Sequence, residues 1–240
     1  MPVLPLPRWI AHRGGGRHAP ENTLAGIRLA ARLGYRAVEF DVMLSGSGTP
    51  ILMHDETLSR TTNGCGRVAD LPDAALFALD AGQGERIPRL DAALLLCREL
   101  GLMVNLEIKP ATGQDLATAS AALQVLSAVW PETLPPVWVS SFSLPAMRLV
   151  ADMAPTRPRA LLFEVVPADW PGVFSEIGAL SLHCNAQAVD ADLLAKTRAM
   201  GVPLRCYTVN SPAQAKTLFA QGVSSVFTDA LLEFSAEAGA

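Results

Sequence analysis

Short runs rich in β-branched and apolar residues alternate with longer Ala- and Leu-rich segments along the whole 240-residue chain. This rhythm restricts the available folds more than any other feature. The runs at 8–12, 37–42, 102–109, 137–141, 160–164, 179–184, 203–209 and 225–228 read as eight strands. Helices are expected near 22–33, 89–100, 114–129, 144–153, 169–177, 190–200 and 211–221. Asn22, Ser143 and Ser211 (followed by Pro212) offer N-caps. Gly34, Gly101, Gly201 and Gly222 each follow a helix, where a left-handed cap favours a residue without Cβ. Eight β/α alternations in this length point to an α/β fold, the TIM (β/α)8 barrel. An open doubly wound sheet is the runner-up. It calls for a G-x-G-x-x-G turn after the first strand, and Gly14-Gly15-Gly16 lacks that spacing. Residues 55–88 are the one long irregular connection. They are expected to lie over the barrel mouth as an insertion, so 1–240 reads as a single domain.

Composition supports a large core and excludes several classes. Half the residues are hydrophobic and 18% are charged, which is incompatible with a disordered chain. The 19 basic and 23 acidic residues give a net charge of −4, and no basic run is present to neutralise a nucleic-acid backbone. Cys65, Cys97, Cys184 and Cys206 form no C-x-x-C pair and are expected to be buried free thiols in a reducing compartment. Cys184 and Cys206 approach each other if their strands are neighbours. The N-terminal MPVLPLPRWIAHRG has neither the charged start nor the apolar run of a secretory signal. No apolar run reaches the roughly 18 residues of a membrane span. The expectation is a cytoplasmic protein without membrane insertion.

In a barrel of this kind chemistry sits at the C-terminal ends of the strands. The first strand ends in His12-Arg13, the second carries Glu39 and Asp41, and the third carries Glu107 and Lys109. The i, i+2 spacing puts both members of each of the last two pairs on one face of their strand. Charges inside apolar strands are costly to bury without partners. A divalent cation held by Glu39, Asp41 and Glu107 is one such partner, and the all-oxygen set suits Mg²⁺ or Ca²⁺ better than zinc. An internal ion-pair network with Arg13 and Lys109 is the alternative. After the second strand, VMLSGSGTPILMHD reads as a β-hairpin about Ser47-Gly48 that returns His54 roughly opposite Asp41. Two histidines near the same mouth suit general acid and base roles. Arg13 and Lys109 beside a cation describe a site for a phosphate oxyanion, and phosphoester cleavage is the chemistry expected.

The stretches IAHRGGG…APENTLAG (10–26), VEFDVMLSGSGTPILMHDETLSRTTNGCG (38–66) and NLEIKP (105–110) resemble the glycerophosphodiester phosphodiesterases, with SSF (140–142), YTVN (207–210) and FTDA (227–230) continuing the pattern. The likeness covers nearly the whole chain. SLHCN (181–185) and YTVN resemble the cytoplasmic bacterial branch associated with glycerol-3-phosphate uptake. The resemblance implies metal-dependent hydrolysis of a small-molecule glycerophosphodiester to sn-glycerol 3-phosphate and an alcohol. It implies His12 and His54 as the acid–base pair, Glu39, Asp41 and Glu107 as metal ligands, and Arg13 and Lys109 as phosphate contacts. It leaves a homo-oligomer open. Phe142, His183 and Tyr207 are candidate pocket residues. Many family members carry tryptophan at the Tyr207 position and proline at the Leu231 position, so the alcohol pocket is where this chain departs from the pattern. Asn22 is expected to cap a helix, Glu21 to be structural and His18 to be solvated. Two rivals remain: a lipid-cleaving lyase, which calls for an amphipathic docking segment, and a silent phosphate sensor, which would lack a histidine or carboxylate.

Overall fold

The computed structural model describes residues 6–131, 133–135 and 137–238, so the first five residues of the proline-containing N-terminus lie outside it. Among the described residues nine strands form one sheet: β1 (Trp9–Ala11), β2 (Ala37–Leu44), β3 (Pro50–Leu52), β4 (Met103–Ile108), β5 (Trp138–Ser141), β6 (Arg159–Phe163), β7 (Ser181–Asn185), β8 (Leu204–Tyr207) and β9 (Ser225–Thr228). All neighbours except β2 and β3 are parallel, and β1 pairs with both β9 and β2. The sheet therefore closes on eight parallel strands, and the expected TIM barrel is the fold. The short β3 stands outside the ring and pairs antiparallel with the end of β2, Val42 opposite Leu52.

Seven helices match the expected ones to within two residues: α1 (Leu24–Arg32), α3 (Leu90–Glu99), α4 (Asp115–Val129), α5 (Leu144–Met153), α6 (Trp170–Glu176), α7 (Ala191–Ala199) and α8 (Pro212–Ala220). Ser143 and Ser211 do cap, accepting from the amides of Ala146 and Gln214. Two helices were not foreseen: α2 (Asp73–Leu76) inside the 55–88 stretch, and α9 (Leu231–Ala238) after the last strand. Asn22 is not the α1 cap. Thr23 has the extended backbone and accepts from the Gly26 amide, while Asn22 adopts φ 55° and turns its side chain elsewhere.

The strand sequences explain the layering. In β2, Val38, Phe40 and Val42 face the helices, joined by Val104, Leu106 and Ile108 of β4. Fully burying each such side chain contributes about 1.5–3 kcal/mol. The alternate residues point into the barrel, where Ile10, Ala37, Trp138, Ala160 and Phe227 pack together with Leu6. A separate apolar cluster of Met43, Ile51, Met53, Leu58, Val68, Leu76 and Ile87 joins the 55–88 stretch to the β2–β3 pair. Among the described residues no helix is long and apolar enough to cross a membrane. All four cysteines are free, but Cys65 is exposed, because it sits in the polar Asn-Gly-Cys-Gly loop rather than in a strand. Cys184 and Cys206 lie directly opposite each other on β7 and β8.

The glycines after β1 let the chain pass close to β9. A Cβ on Gly16 would stand 2.3 Å from the Asp229 carbonyl oxygen, at a φ of +52°. Gly48, in the tip of the β2–β3 turn, has φ +79° with open space around it. Gly48→Ala is expected to destabilise by about 1 kcal/mol through backbone strain alone. Gly16→Ala should lose that plus roughly 1–3 kcal/mol of overpacking. Urea unfolding measures both, and equal losses in the two variants would contradict the close approach.

Candidate active site

The strand ends of one half of the barrel bring the charged residues together. Glu39 and Asp41 project inward from β2, and the register places Glu107 of β4 beside Asp41. Oxygens of the three carboxylates all lie within 4.8 Å of one another. Glu39 and Asp41 are buried, and the Glu107 side chain is 13% exposed. Burial, together with the neighbouring charges of Asp41 and Glu107, raises the Glu39 pKa well above the usual carboxylate range. Burial and Asp41 push Glu107 up to about 8, against the pull of Lys109. One Glu39 oxygen accepts the Arg13 amide at 2.9 Å, while its other oxygen is buried without a hydrogen-bond partner.

Positive charge surrounds this trio. Arg13 Nε stands 3.7 Å from Asp41, and Lys109 Nζ stands 3.5 Å from Glu107 and 4.0 Å from Asp41. Burial works against the charge on Arg13, but Asp41, Glu21 and Glu39 more than offset it and its pKa rises. The Arg13 Nε–H itself is buried without a hydrogen-bond acceptor. Arg13 reaches this position with φ 51°, a left-handed conformation uncommon for a side chain with Cβ, and strain of this kind gathers at functional sites.

The histidines approach from two sides, each held by a carboxylate. His12 Nδ1 lies 2.7 Å from Asp229 Oδ1, and its Nε2 lies 3.8 Å from Glu39. His54 Nδ1 lies 2.6 Å from Asp55 Oδ1. A carboxylate at Nδ1 selects the Nδ1–H tautomer and leaves the Nε2 lone pair free to accept a proton. Burial, with Lys109 and Arg13 nearby, lowers the His54 pKa despite Asp41 and so favours the neutral imidazole. In the hairpin the Met53 amide donates to the Asp41 carbonyl oxygen at 3.1 Å, and His54 is the next residue.

All seven residues singled out at the strand ends and hairpin line one cavity of about 250 Å³, together with Phe142, His183 and Tyr207. Phe142 is exposed, with its ring 5.5 Å from Lys109 Nζ and edge-on to Tyr207. The Tyr207 hydroxyl donates to the Phe163 carbonyl oxygen and to Glu164. His183 is 1% exposed, bonded to Ser181, and kept neutral by burial and by Arg205.

Several contributors escaped the sequence reading. Asp229 bonds His12, and Asn210 braces Asp229 through its backbone amide at 2.7 Å. Closure of the barrel held the missing signal, since Ala11 opposite Thr228 puts the next residues, His12 and Asp229, side by side. Asn22, freed from the capping role, donates to Asp41 Oδ2 at 2.8 Å and accepts the Asp41 amide. Glu21 pairs with Arg13 and Arg60. His18 is half-buried, 3.5 Å from Glu233, rather than solvated.

Comparison with known proteins adds to this geometry. A sequence model of the glycerophosphoryl diester phosphodiesterase family matches residues 12–233. A glycerophosphodiester phosphodiesterase from Caldanaerobacter subterraneus subsp. tengcongensis is 32% identical over 227 residues, covering 92% of this chain and 93% of its own. Among solved structures, an Oleispira antarctica phosphodiesterase in complex with its product sn-glycerol-3-phosphate is similar at a TM-score of 0.93 and 36% identity, covering 96% of both chains. An Agrobacterium tumefaciens glycerophosphodiester phosphodiesterase is similar at a TM-score of 0.77 and 26% identity, covering 96% of this chain and 100% of its own.

The raised pKa values fix a sign for metal-free stability. A carboxyl whose folded pKa lies near 8 against 4.5 in the free side chain binds its proton more tightly when folded. That contribution is complete below the unfolded value and is lost as pH rises through the folded one. His54 acts in the opposite direction, but only below its ordinary value of 6.5. In EDTA the melting temperature is therefore expected to fall between about pH 7 and 8.5, and saturating Ca²⁺ or Mg²⁺ should remove the fall. Calorimetry at both pH values, with and without cation, measures this; a melting temperature in EDTA that stays flat contradicts it.

Proposed function

The chain belongs to the glycerophosphoryl diester phosphodiesterase family, and from that premise we propose that it cleaves glycerophosphodiesters such as glycerophosphocholine or glycerophosphoethanolamine to sn-glycerol 3-phosphate and an alcohol. The supporting observation is the meeting of three clustered carboxylates, two cations and two carboxylate-held imidazoles around one cavity. The intact set of histidines and carboxylates favours an enzyme over a silent sensor.

Glu39, Asp41 and Glu107 fit a divalent cation, with Mg²⁺ or Ca²⁺ proposed: they are hard oxygen donors, mutually repelling, and one Glu39 oxygen is buried without a partner. When bound, such an ion neutralises phosphate charge and polarises a phosphoryl oxygen. Arg13, through an Nε–H that has no hydrogen-bond acceptor in the protein, and Lys109, through its ammonium, hold the phosphate oxygens and offset charge that develops on them. One imidazole takes the proton of the attacking hydroxyl at Nε2, and the other delivers a proton from Nε2 to the departing alkoxide. Asp229 and Asp55 keep the rings in the required tautomer and stabilise the imidazolium as it forms. Phe142 and Tyr207 are proposed to flank the substrate's alcohol side, with His183 at the buried floor. The free thiols support a reducing, cytoplasmic compartment.

Glycerophosphocholine incubated with the protein is expected to yield glycerol 3-phosphate, and EDTA should abolish the product. Absence of metal-dependent product with this and related headgroups overturns the reading. His12→Ala and His54→Ala should each lower kcat by about 10²-fold or more; wild-type turnover in either variant removes that histidine from the mechanism. Glu107→Ala should weaken cation binding in a calorimetric titration. Detection of a cyclic glycerophosphate during turnover would identify the substrate's own 2-hydroxyl as the nucleophile in place of water.

A further inference from the structure

One guanidinium joins the backs of two site residues. Arg60 makes a bidentate fork to Asp55, with Nε to Oδ2 at 2.6 Å and the terminal nitrogen to Oδ1 at 3.0 Å. It makes a second fork to Glu21, with both terminal nitrogens 2.7 Å from the two oxygens. Asp55 accepts from His54 at 2.6 Å, and Glu21 accepts from Arg13 at 2.9 Å. The result is an unbroken chain, His54–Asp55–Arg60–Glu21–Arg13, whose ends both line the cavity.

The segment carrying Arg60 is itself pinned. Leu58 is fully buried in the apolar cluster beneath the 55–88 stretch. Its amide donates to the Gly66 carbonyl oxygen at 3.1 Å, and the Leu58 carbonyl accepts the Thr62 amide and hydroxyl. A tight turn therefore holds Arg60 over the barrel mouth. The Arg60 side chain is 47% exposed, so solvent screens its charge, although two bidentate forks in one network hold more than an isolated surface pair. The forks also hold two side chains that line the cavity in fixed relative positions, and contacts behind such side chains commonly matter about 10- to 100-fold in activity.

We propose that Arg60 is a positioning residue that sets the His54 imidazole and the Arg13 guanidinium in register with each other, through Asp55 on one side and Glu21 on the other. The inference rests on the roles given above to His54 and Arg13. Only a planar guanidinium satisfies both forks at once; an ammonium at this position reaches one carboxylate geometry and leaves the other unsupported. Without the shared cation, Asp55 and Glu21 repel, and each is left with a single partner.

The test compares wild type, Arg60→Gln and Arg60→Lys by steady-state kinetics on glycerophosphocholine, by thermal unfolding, and by nitrogen NMR of the His54 ring, assigned with His54→Ala. Arg60→Gln is expected to lower kcat by about tenfold or more and to raise KM, with any fall in melting temperature confined to about a few degrees. Its His54 ring signals should shift or broaden as the imidazole loses its fixed orientation. Arg60→Lys should recover only part of the loss. Asp55→Asn should cost less in the Arg60→Gln background than alone, because both act through one chain. Arg60→Gln with wild-type kcat, KM and His54 signals overturns the proposal. So does a loss of melting temperature with kinetics unchanged, which marks a structural pair. If wild type hydrolyses no glycerophosphodiester, the reading of the site fails, and the NMR comparison still decides whether Arg60 orients His54.

Discussion

The feature on which the site depends is the crowding of three carboxylates inside a barrel mouth. Oxygens within 4.8 Å of one another, if all charged, repel by at least about 3.5 kcal/mol per pair at an effective dielectric near 20. Burial first, and that repulsion second, make Glu39 and Glu107 hold their protons more tightly than free carboxylates. The surroundings answer it piece by piece. Arg13 gives Glu39 its backbone amide and sets its guanidinium beside Asp41, Lys109 leans on Glu107, and Asn22 closes on Asp41 from both its amide and its carbonyl. The cluster still has an unpartnered Glu39 oxygen, so the protein's own cations do not complete it. That argues against the ion-pair network as its full explanation.

The barrel makes such crowding mechanically tolerable. Glu39 and Asp41 share a face of β2 whose opposite face is Val38, Phe40 and Val42, buried against the helices. A strand clamped on its apolar side cannot rotate to carry its charges to solvent, and a one-residue slip would bury the charges in the outer core. Parallel pairing of β2 with β4 then fixes Glu107 beside Asp41. The unfavourable φ values at Arg13 and Asn22 belong to the same scheme, since both turn a polar group back onto this trio. Core packing holds the electrostatic arrangement in place, as expected where a local rule is broken at a functional position.

The fold was legible because it rests on short-range patterns. Apolar alternation marked the strands, serine caps and terminal glycines marked the helices, and i, i+2 spacing put Glu39 with Asp41 and Glu107 with Lys109. What escaped was whatever depends on closure or on loop conformation. Asp229 is 217 residues from His12, and nothing local in either segment signals their contact. Asn22 looked like a cap because asparagine before a helix usually is one. The chain caps with Thr23 instead, and the left-handed turn at Asn22 is visible only once Asp41 is in place. Arg60 lay in a stretch without periodicity, where pattern reading has little to work on. The apolar cluster that positions it draws on residues from Met43 to Ala111.

The two histidines show how these ranges of interaction divide the work. Each ring is bonded at Nδ1 by an aspartate, yet the supports differ in origin. Asp55 is the next residue after His54, so that pair forms locally, and its orientation is then set from outside by Arg60. Asp229 reaches His12 only when β9 docks against β1 and the barrel closes, with Asn210 holding it from the loop after β8. A loosened 55–88 stretch would therefore disturb His54 first and leave His12 in place. An imperfect closure would do the reverse. Two imidazoles facing one cavity are thus held by independent parts of the structure, and their alignment measures both.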